Sequence, residues 1–163
     1  MTDLFLARAT SEPVGLGAAG GSLAKHLATD LPGSTAYAVV YPASFSLKDC
    51  TGVKDLVRRI KERVDSCPGI KIALGGHSQG GAVVAVAVPQ IPQKYVSSIV
   101  AVTLFGSPPC SDIANSKIAG MAEVGSHCRS FCNYKDTVRH VSGYPCSLKL
   151  TYAADLRLNR HDG

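Results

Sequence analysis

The chain has 163 residues, of which 45% are hydrophobic and 18% charged, and its formal net charge is +5. This length and composition predict one globular domain over residues 1–163 and exclude a disordered chain. The positive charges are scattered without the interleaved aromatic residues of a nucleic-acid surface, and no apolar run is long enough to span a membrane. We therefore expect a monomer that binds neither nucleic acid nor a cofactor.

The predicted elements alternate between buried strands and helices. Continuous apolar or β-rich runs predict strands at residues 4–7, 35–41, 71–75, 98–105 and, more weakly, 126–131. Apolar residues at helical spacing predict helices at residues 16–31, 51–64 and 81–88, and a short helix follows from residue 151. This alternation predicts an α/β fold, a three-layer α/β/α sandwich with a central, mostly parallel sheet of about five strands.

The junction between the third predicted strand and the next helix carries the strongest motif. Residues 76–80 read Gly-His-Ser-Gln-Gly, with an apolar strand before them and a run of small residues after them. In this context G-x-S-x-G indicates a nucleophile elbow, a tight turn that presents a serine hydroxyl above the edge of the sheet. Because the strand and helix backbones nearly touch there, the positions of Gly76 and Gly80 cannot accept side chains. Ser78 is therefore the candidate nucleophile.

A serine nucleophile needs a base, and in such sheets an acid and a histidine follow the serine along the chain. Asp136 lies just past the last predicted strand, where a triad acid is expected. On position alone, an ordinary turn aspartate explains it equally well.

Four stretches resemble the cutinase and acetylxylan esterase family. They are ARATSEP from Ala7, YPASFS from Tyr41, CPGIKIALGGHSQGGAVV from Cys67 and CNYKDTV from Cys132. The resemblance implies a small α/β-hydrolase without a lid, with Ser78 as nucleophile and Asp136 as triad acid. It also implies an oxyanion hole made by the backbone N–H of Gln79 and by Thr10, through its backbone N–H with its hydroxyl as an additional donor.

The histidine departs from the family pattern, because Lys149 occupies the position where the imidazole is expected. Two other histidines follow Asp136: His140, four residues later, and His161, near the end of the chain. We take His140 as the first candidate for the base and keep His161 open. A protein without a functional histidine, with or without Lys149 as a base of lowered pKa, is the third possibility.

The six cysteines favour an oxidising compartment, and so a secreted protein. No signal peptide is visible at the start, which suggests that an export signal has been removed. We predict three disulfides, Cys50–Cys67, Cys110–Cys128 and Cys132–Cys146. The competing use, a zinc site around Cys128 and Cys132, lacks the paired C-x2-C spacing of strong sites, so we expect no metal.

These observations predict a secreted serine esterase that hydrolyses carboxylic esters through an acyl-enzyme. The substrate classes are cutin-like polyesters, short-chain lipids and acetylated polysaccharides. Apolar residues in the segment 138–148 favour acyl-chain substrates slightly. The alternative is a catalytically impaired relative that binds cell-wall polymer or a partner.

Overall fold

The computed structural model describes residues 1–46, 49–107 and 121–131. Its centre is a parallel sheet of five strands in the order β2-β1-β3-β4-β5. The strands are β1 (Thr2–Ala7), β2 (Thr35–Ala38), β3 (Lys71–His77), β4 (Ile99–Phe105) and β5 (Cys128–Phe131). The predicted five-stranded α/β fold is thus confirmed, and within the described residues every strand pair is parallel.

The helices connect successive strands. They are α1 (Gly17–Asp30), α2 (Thr51–Ser66), α3 (Gln79–Ala87), α4 (Gln93–Val96) and α5 (Met121–Ser126), with a 3-10 turn at Val88–Gln90. The helix predicted from residue 151 lies outside the described residues. The second strand ends at Ala38, three residues before its predicted end.

Alternate residues of β1 face two different helical layers. Leu6 packs against α1, where Gly20 allows a close approach. Phe5 and Ala7 belong instead to the main core cluster, which they share with residues of α2 and α3 such as Leu56 and Val84. Helices therefore cover both faces of the sheet, which explains why the inner strands β1, β3 and β4 are largely apolar.

The carboxyl ends of β1 and β3 lie side by side, and this register builds the site. Leu6 pairs with Gly75 and Ala7 pairs with Gly76, so the loops that leave these two strands emerge next to each other. In open α/β sheets, ligands bind outside the carboxyl ends of the strands. The ARATSEP segment and the Ser78 elbow therefore meet at this edge.

One predicted disulfide is wrong. Cys67 carries a free thiol, so it does not pair with Cys50. The two cysteines flank α2, and the helix that separates them has 16 residues. Because each residue of an α-helix adds about 1.5 Å of length, the ends of α2 are too far apart for a disulfide to join them. The other two predicted pairs include cysteines outside the described residues and stay predictions.

No helix in residues 1–46, 49–107 or 121–131 combines the length and the apolar character needed to cross a membrane.

Candidate active site

Ser78 lies at the junction of β3 and α3 in a strained backbone conformation. Its φ is 52° and its ψ is −117°, values that non-glycine residues rarely adopt and that are common at functional sites. Its N–H donates to the carbonyl of Phe105 at 2.8 Å, and its own carbonyl accepts the N–H of Gly81 at 3.0 Å. These bonds hold the turn to β4 on one side and to α3 on the other. The side chain is half-buried at the carboxyl end of the sheet.

The glycines around Ser78 are required by close backbone contacts. A Cβ on Gly76 would collide with the backbone of Gly80, and a Cβ on Gly80 would collide with the carbonyl groups of Ala7 and Arg8. Both obstacles are backbone atoms, which cannot rotate away as a side chain can. The elbow geometry predicted from the motif is therefore present in the structure.

The side chain of Gln79 connects the elbow to two neighbouring loops. Its Nε2 donates to the carbonyl of Ser44 at 3.0 Å, and its Oε1 accepts the hydroxyl of Thr10 at 3.0 Å. The first bond fixes which end of the amide faces Thr10, because only the nitrogen can donate to a carbonyl. As the first residue of α3, Gln79 also has a backbone N–H without an acceptor inside the helix. Thr10 and Gln79 thus meet beside Ser78.

Arg8 holds the segment that carries Thr10. This segment, residues 8–16 between β1 and α1, is called the β1–α1 loop below. The guanidinium of Arg8 is buried, with its Nη2 donating to the carbonyl of Tyr41 at 2.7 Å and its Nε donating to the carbonyl of Glu12 at 3.0 Å. It also lies 5.0 Å from the centre of the Tyr41 ring. In return, the Tyr41 hydroxyl donates to the Arg8 carbonyl.

The carboxylate of Glu12 closes the same loop from the other side. Its Oε2 accepts the N–H of Ala9 at 2.5 Å and its Oε1 accepts the N–H of Ala18, in the first turn of α1, at 2.9 Å. Burial, the largest influence, acts to raise the pKa of Glu12. The two backbone N–H donors, together with the charges of His77 and Arg8, outweigh burial and hold that pKa below its ordinary value.

A family model described as Cutinase matches residues 1–160. The chain belongs to the cutinase family. "Probable carboxylesterase Culp3" of Mycobacterium tuberculosis is 32% identical over 152 residues, which cover 85% of this chain and 57% of that protein. "Carboxylesterase Culp1" of Mycobacterium bovis is 36% identical over 109 residues, covering 64% and 50% respectively. This cutinase-family chain thus spans about half the length of the curated relatives it matches.

Solved structures agree with the assignment to the cutinases. A cutinase-like protein from Cryptococcus sp. superposes with a TM-score of 0.74 at 26% identity, covering 95% of this chain and 87% of that one. Trichoderma reesei cutinase, solved in complex with a C11Y4 phosphonate inhibitor, gives 0.70 at 30% identity, covering 94% and 70%. The family resemblance stated from the four sequence stretches is confirmed.

The structure of this cutinase-family chain describes only part of the predicted machinery. Ser78, Thr10 and Gln79 are brought together at the carboxyl edge of β1 and β3. The acid and the candidate bases lie outside the described residues; they are Asp136, His140, Lys149 and His161. Their roles stay predictions.

The described histidines are not hydrogen-bonded to the Ser78 hydroxyl. His26 lies on the exposed face of α1 and contacts the Ser22 carbonyl, and His127 contacts the Val100 carbonyl. His77, the variable residue of the elbow, is half-buried, and its Nδ1 has no hydrogen-bond partner. Among the described residues, no group of three metal-binding side chains occurs.

The supports of the β1–α1 loop, Arg8, Glu12 and Tyr41, were not predicted from the sequence. All three lie inside the stretches quoted for the family resemblance, but neither spacing nor periodicity links a loop arginine to a tyrosine 33 residues away. The one local signal was the pair of opposite charges at positions 8 and 12, within a segment otherwise read as a turn.

Proposed function

We propose that this protein is a secreted serine esterase that hydrolyses carboxylic esters through an acyl-enzyme. The observation that carries the proposal is the strained Ser78, with the Thr10–Gln79 pair hydrogen-bonded beside it. A serine held in this conformation at the carboxyl edge of a parallel sheet supports a nucleophilic role rather than a packing role. Cutinase-family membership and the carboxylesterase names of the relatives support an ester as substrate.

In the first step, Ser78 Oγ attacks the carbonyl carbon of the ester while an imidazole takes its proton. We assign the imidazole to His140, with His161 as the alternative, and the acid that orients it to Asp136. The carbonyl oxygen becomes negatively charged and is stabilised by the N–H groups of Gln79 and Thr10. When the ester bond breaks, the imidazolium returns its proton to the departing alcohol.

In the second step, water hydrolyses the acyl-enzyme. The imidazole removes a proton from the water as the oxygen attacks the acyl carbon, and the same two N–H groups stabilise the second oxyanion. The bond to Ser78 Oγ then breaks, the serine regains a proton and the carboxylic acid leaves. Because the hydroxyl of Thr10 is already donated to Gln79, its backbone N–H is the group we assign to the oxyanion.

The acyl group is the substrate feature on which we base specificity. The apolar residues of segment 138–148 and the cutinase names of the relatives favour an aliphatic acyl chain over acetate. Export and disulfide formation are part of the proposal, and the six cysteines support both. Polyesters and lipids carry such acyl chains.

Turnover of p-nitrophenyl butyrate by the wild type and by Ser78→Ala tests the reaction. We expect kcat/KM to fall by at least about 10³-fold in Ser78→Ala, since the residue forms the covalent intermediate. Ser22→Ala, which removes an exposed hydroxyl from α1, is the matched control and should keep wild-type activity. Equal turnover by the wild type and Ser78→Ala would refute the esterase and leave the polymer-binding alternative.

Separate substitutions identify the base. His140→Ala should reduce kcat by about 10³-fold or more if it removes the proton acceptor, while His161→Ala leaves it near wild type. The reverse pattern assigns the base to His161. Wild-type kcat in both variants would show that neither histidine is the base, and a loss in Lys149→Ala would then assign the role to the lysine.

A further inference from the structure

The carboxylate of Glu12 joins the segment before Thr10 to the start of α1. We propose that Glu12 is a positioning residue of the esterase, which aims the Thr10 N–H at the oxyanion without touching the substrate. The inference rests on the proposed function, because it concerns the same oxyanion hole. In this role the Glu12 side chain acts only through backbone groups, one in its own loop and one in α1.

Glu12 is suited to this role because it accepts two backbone donors that lie on different elements. Ala9 is the residue immediately before Thr10, and Ala18 lies in the first turn of α1. An ionised carboxylate offers two oxygens that only accept hydrogen bonds, so it can satisfy both N–H groups at once. A glutamine has one such oxygen, and its NH₂ group would face the second donor.

Thr10 is bracketed by fixed neighbours. On one side, the N–H of Ala9 is held by Glu12 at 2.5 Å. On the other side, the N–H of Ser11 donates to the carbonyl of Ala43 at 2.8 Å, and Ser11 itself has a positive φ of 62°. The Thr10 N–H belongs to the peptide group between Ala9 and Thr10. Since the peptide groups on either side of it are both fastened, these two bonds limit the direction of that N–H. If the Ala9 bond is lost, the chain is held only on the Ser11 side of Thr10.

The approach of Glu12 to α1 depends on Gly17. A Cβ at this position would lie 2.5 Å from Glu12 Oε2 and 2.9 Å from Arg8 Cβ. The glycine also has a φ of +72°, which other residues adopt at a cost. Gly17 therefore leaves the space that the Glu12 carboxylate occupies. A methyl group on residue 17 would displace this carboxylate without any change to residue 12 itself.

The first test compares Glu12→Gln with Asp49→Asn. Asp49 is a matched control because its Oδ1 accepts the N–H of Thr51 at 2.7 Å, at the first residue of α2. For Glu12→Gln we expect kcat for p-nitrophenyl butyrate to fall roughly 10- to 100-fold with KM changed less than about twofold, the pattern of a lost transition-state interaction. Asp49→Asn should leave both constants near wild type.

The outcomes separate the inference from the proposed function. If wild-type turnover depends on Ser78 and Glu12→Gln keeps a kcat within about twofold of Asp49→Asn, the positioning role is refuted and the esterase stands. If the wild type itself shows no Ser78-dependent turnover, the proposed function fails and the positioning role fails with it. Equal falls in kcat for both variants would indicate a general effect of helix capping and would also overturn the inference.

A second pair of variants reaches the same carboxylate without altering it. Gly17→Ala places a methyl group against Glu12, whereas Gly33→Ala has a similar φ of +86° and no atom within 4 Å of the added Cβ. Both substitutions bear the strain of a positive φ, so their difference reports the contacts of the added methyl group with Glu12 and with Arg8 Cβ. We expect Gly17→Ala to lower kcat at least about fivefold below Gly33→Ala at equal KM. Equal kcat values would refute the role independently of the folding of Glu12→Gln.

Discussion

The elbow and the β1–α1 loop lie side by side, yet they hold their shapes by opposite means. The elbow depends on missing side chains, since a Cβ on Gly76 or Gly80 would strike backbone atoms. The β1–α1 loop depends on side chains that are present, because Arg8 and Glu12 together bond four backbone groups. The N–H groups of Gln79 and Thr10, which we propose stabilise one oxyanion, are thus held in place by different physical means.

This difference determines how each region responds to substitution. A collision with backbone atoms cannot be relieved by a rotamer change, so an added atom in the elbow forces the strand and helix apart. A lost hydrogen bond in the loop can be replaced in part by water, which limits the damage. Substitutions in the elbow should therefore cause large losses of stability and activity, whereas substitutions in the loop should cause smaller losses.

The largest effect is expected for Gly80→Ala. The new methyl group would collide with the carbonyls of Ala7 and Arg8, at the seam between β1 and α3. We expect a loss of about 3 kcal/mol or more in the free energy of unfolding, and activity below about 1% of wild type. Urea unfolding and p-nitrophenyl butyrate turnover measure the two quantities.

Gly21→Ala is the control for that substitution. Gly21 lies within α1 with no atom within 4 Å of an added Cβ, so alanine should stabilise the helix by roughly 0.5–1 kcal/mol. Wild-type stability of Gly80→Ala would contradict a steric requirement for glycine at position 80.

An intermediate effect is expected for Arg8→Lys. Lysine keeps the charge but cannot donate in the fork geometry with which Arg8 reaches the carbonyls of Tyr41 and Glu12. Because one or two buried carbonyls lose their donors, the free energy of unfolding should fall by about 1–3 kcal/mol. Arg129→Lys, at an exposed arginine of β5 that likewise donates to two backbone carbonyls, should change stability by less than about 0.5 kcal/mol. Similar losses in the two variants would show that burial of Arg8 contributes nothing specific.

The smallest effect is a pH dependence that originates in the loop. The folded protein holds the pKa of Glu12 below its ordinary value of 4.5, so the ionised carboxylate stabilises the fold above that pH. As the pH falls through the lowered pKa, this contribution disappears. We expect the difference in unfolding free energy between wild type and Glu12→Gln to be constant at neutral pH and to shrink on acidification below 4.5. A difference that grows on acidification would contradict the direction of the shift.

Much of the fold could be predicted because its determinants are local. The inner strands β1, β3 and β4 are short apolar runs. Glycines at positions 76 and 80 indicate a close backbone contact, because neither position carries a side chain. Thr10 and Gln79 were paired through the family resemblance, since no periodic pattern links residues 69 positions apart. The structure then supplied their hydrogen bond.

The rest depends on contacts between distant residues. Arg8 looks like an ordinary charged loop residue, and only its burial beside Tyr41 reveals its function as a donor. The Cys50–Cys67 disulfide was predicted to tie the two ends of one helix, and it was wrong because a helix of 16 residues keeps its ends apart. The acid and the base stay predictions from sequence.

The amide of Gln79 has a consequence for how this protein can vary through evolution. The amide oxygen accepts a hydrogen bond from the hydroxyl of Thr10, whereas the amide nitrogen donates to the main-chain carbonyl of Ser44. Position 44 can therefore accept many residues, because every amino acid brings a carbonyl. Positions 10 and 79 form a donor and acceptor pair whose members are viable only in combination. Among homologues we expect these two positions to change together, while position 44 drifts independently.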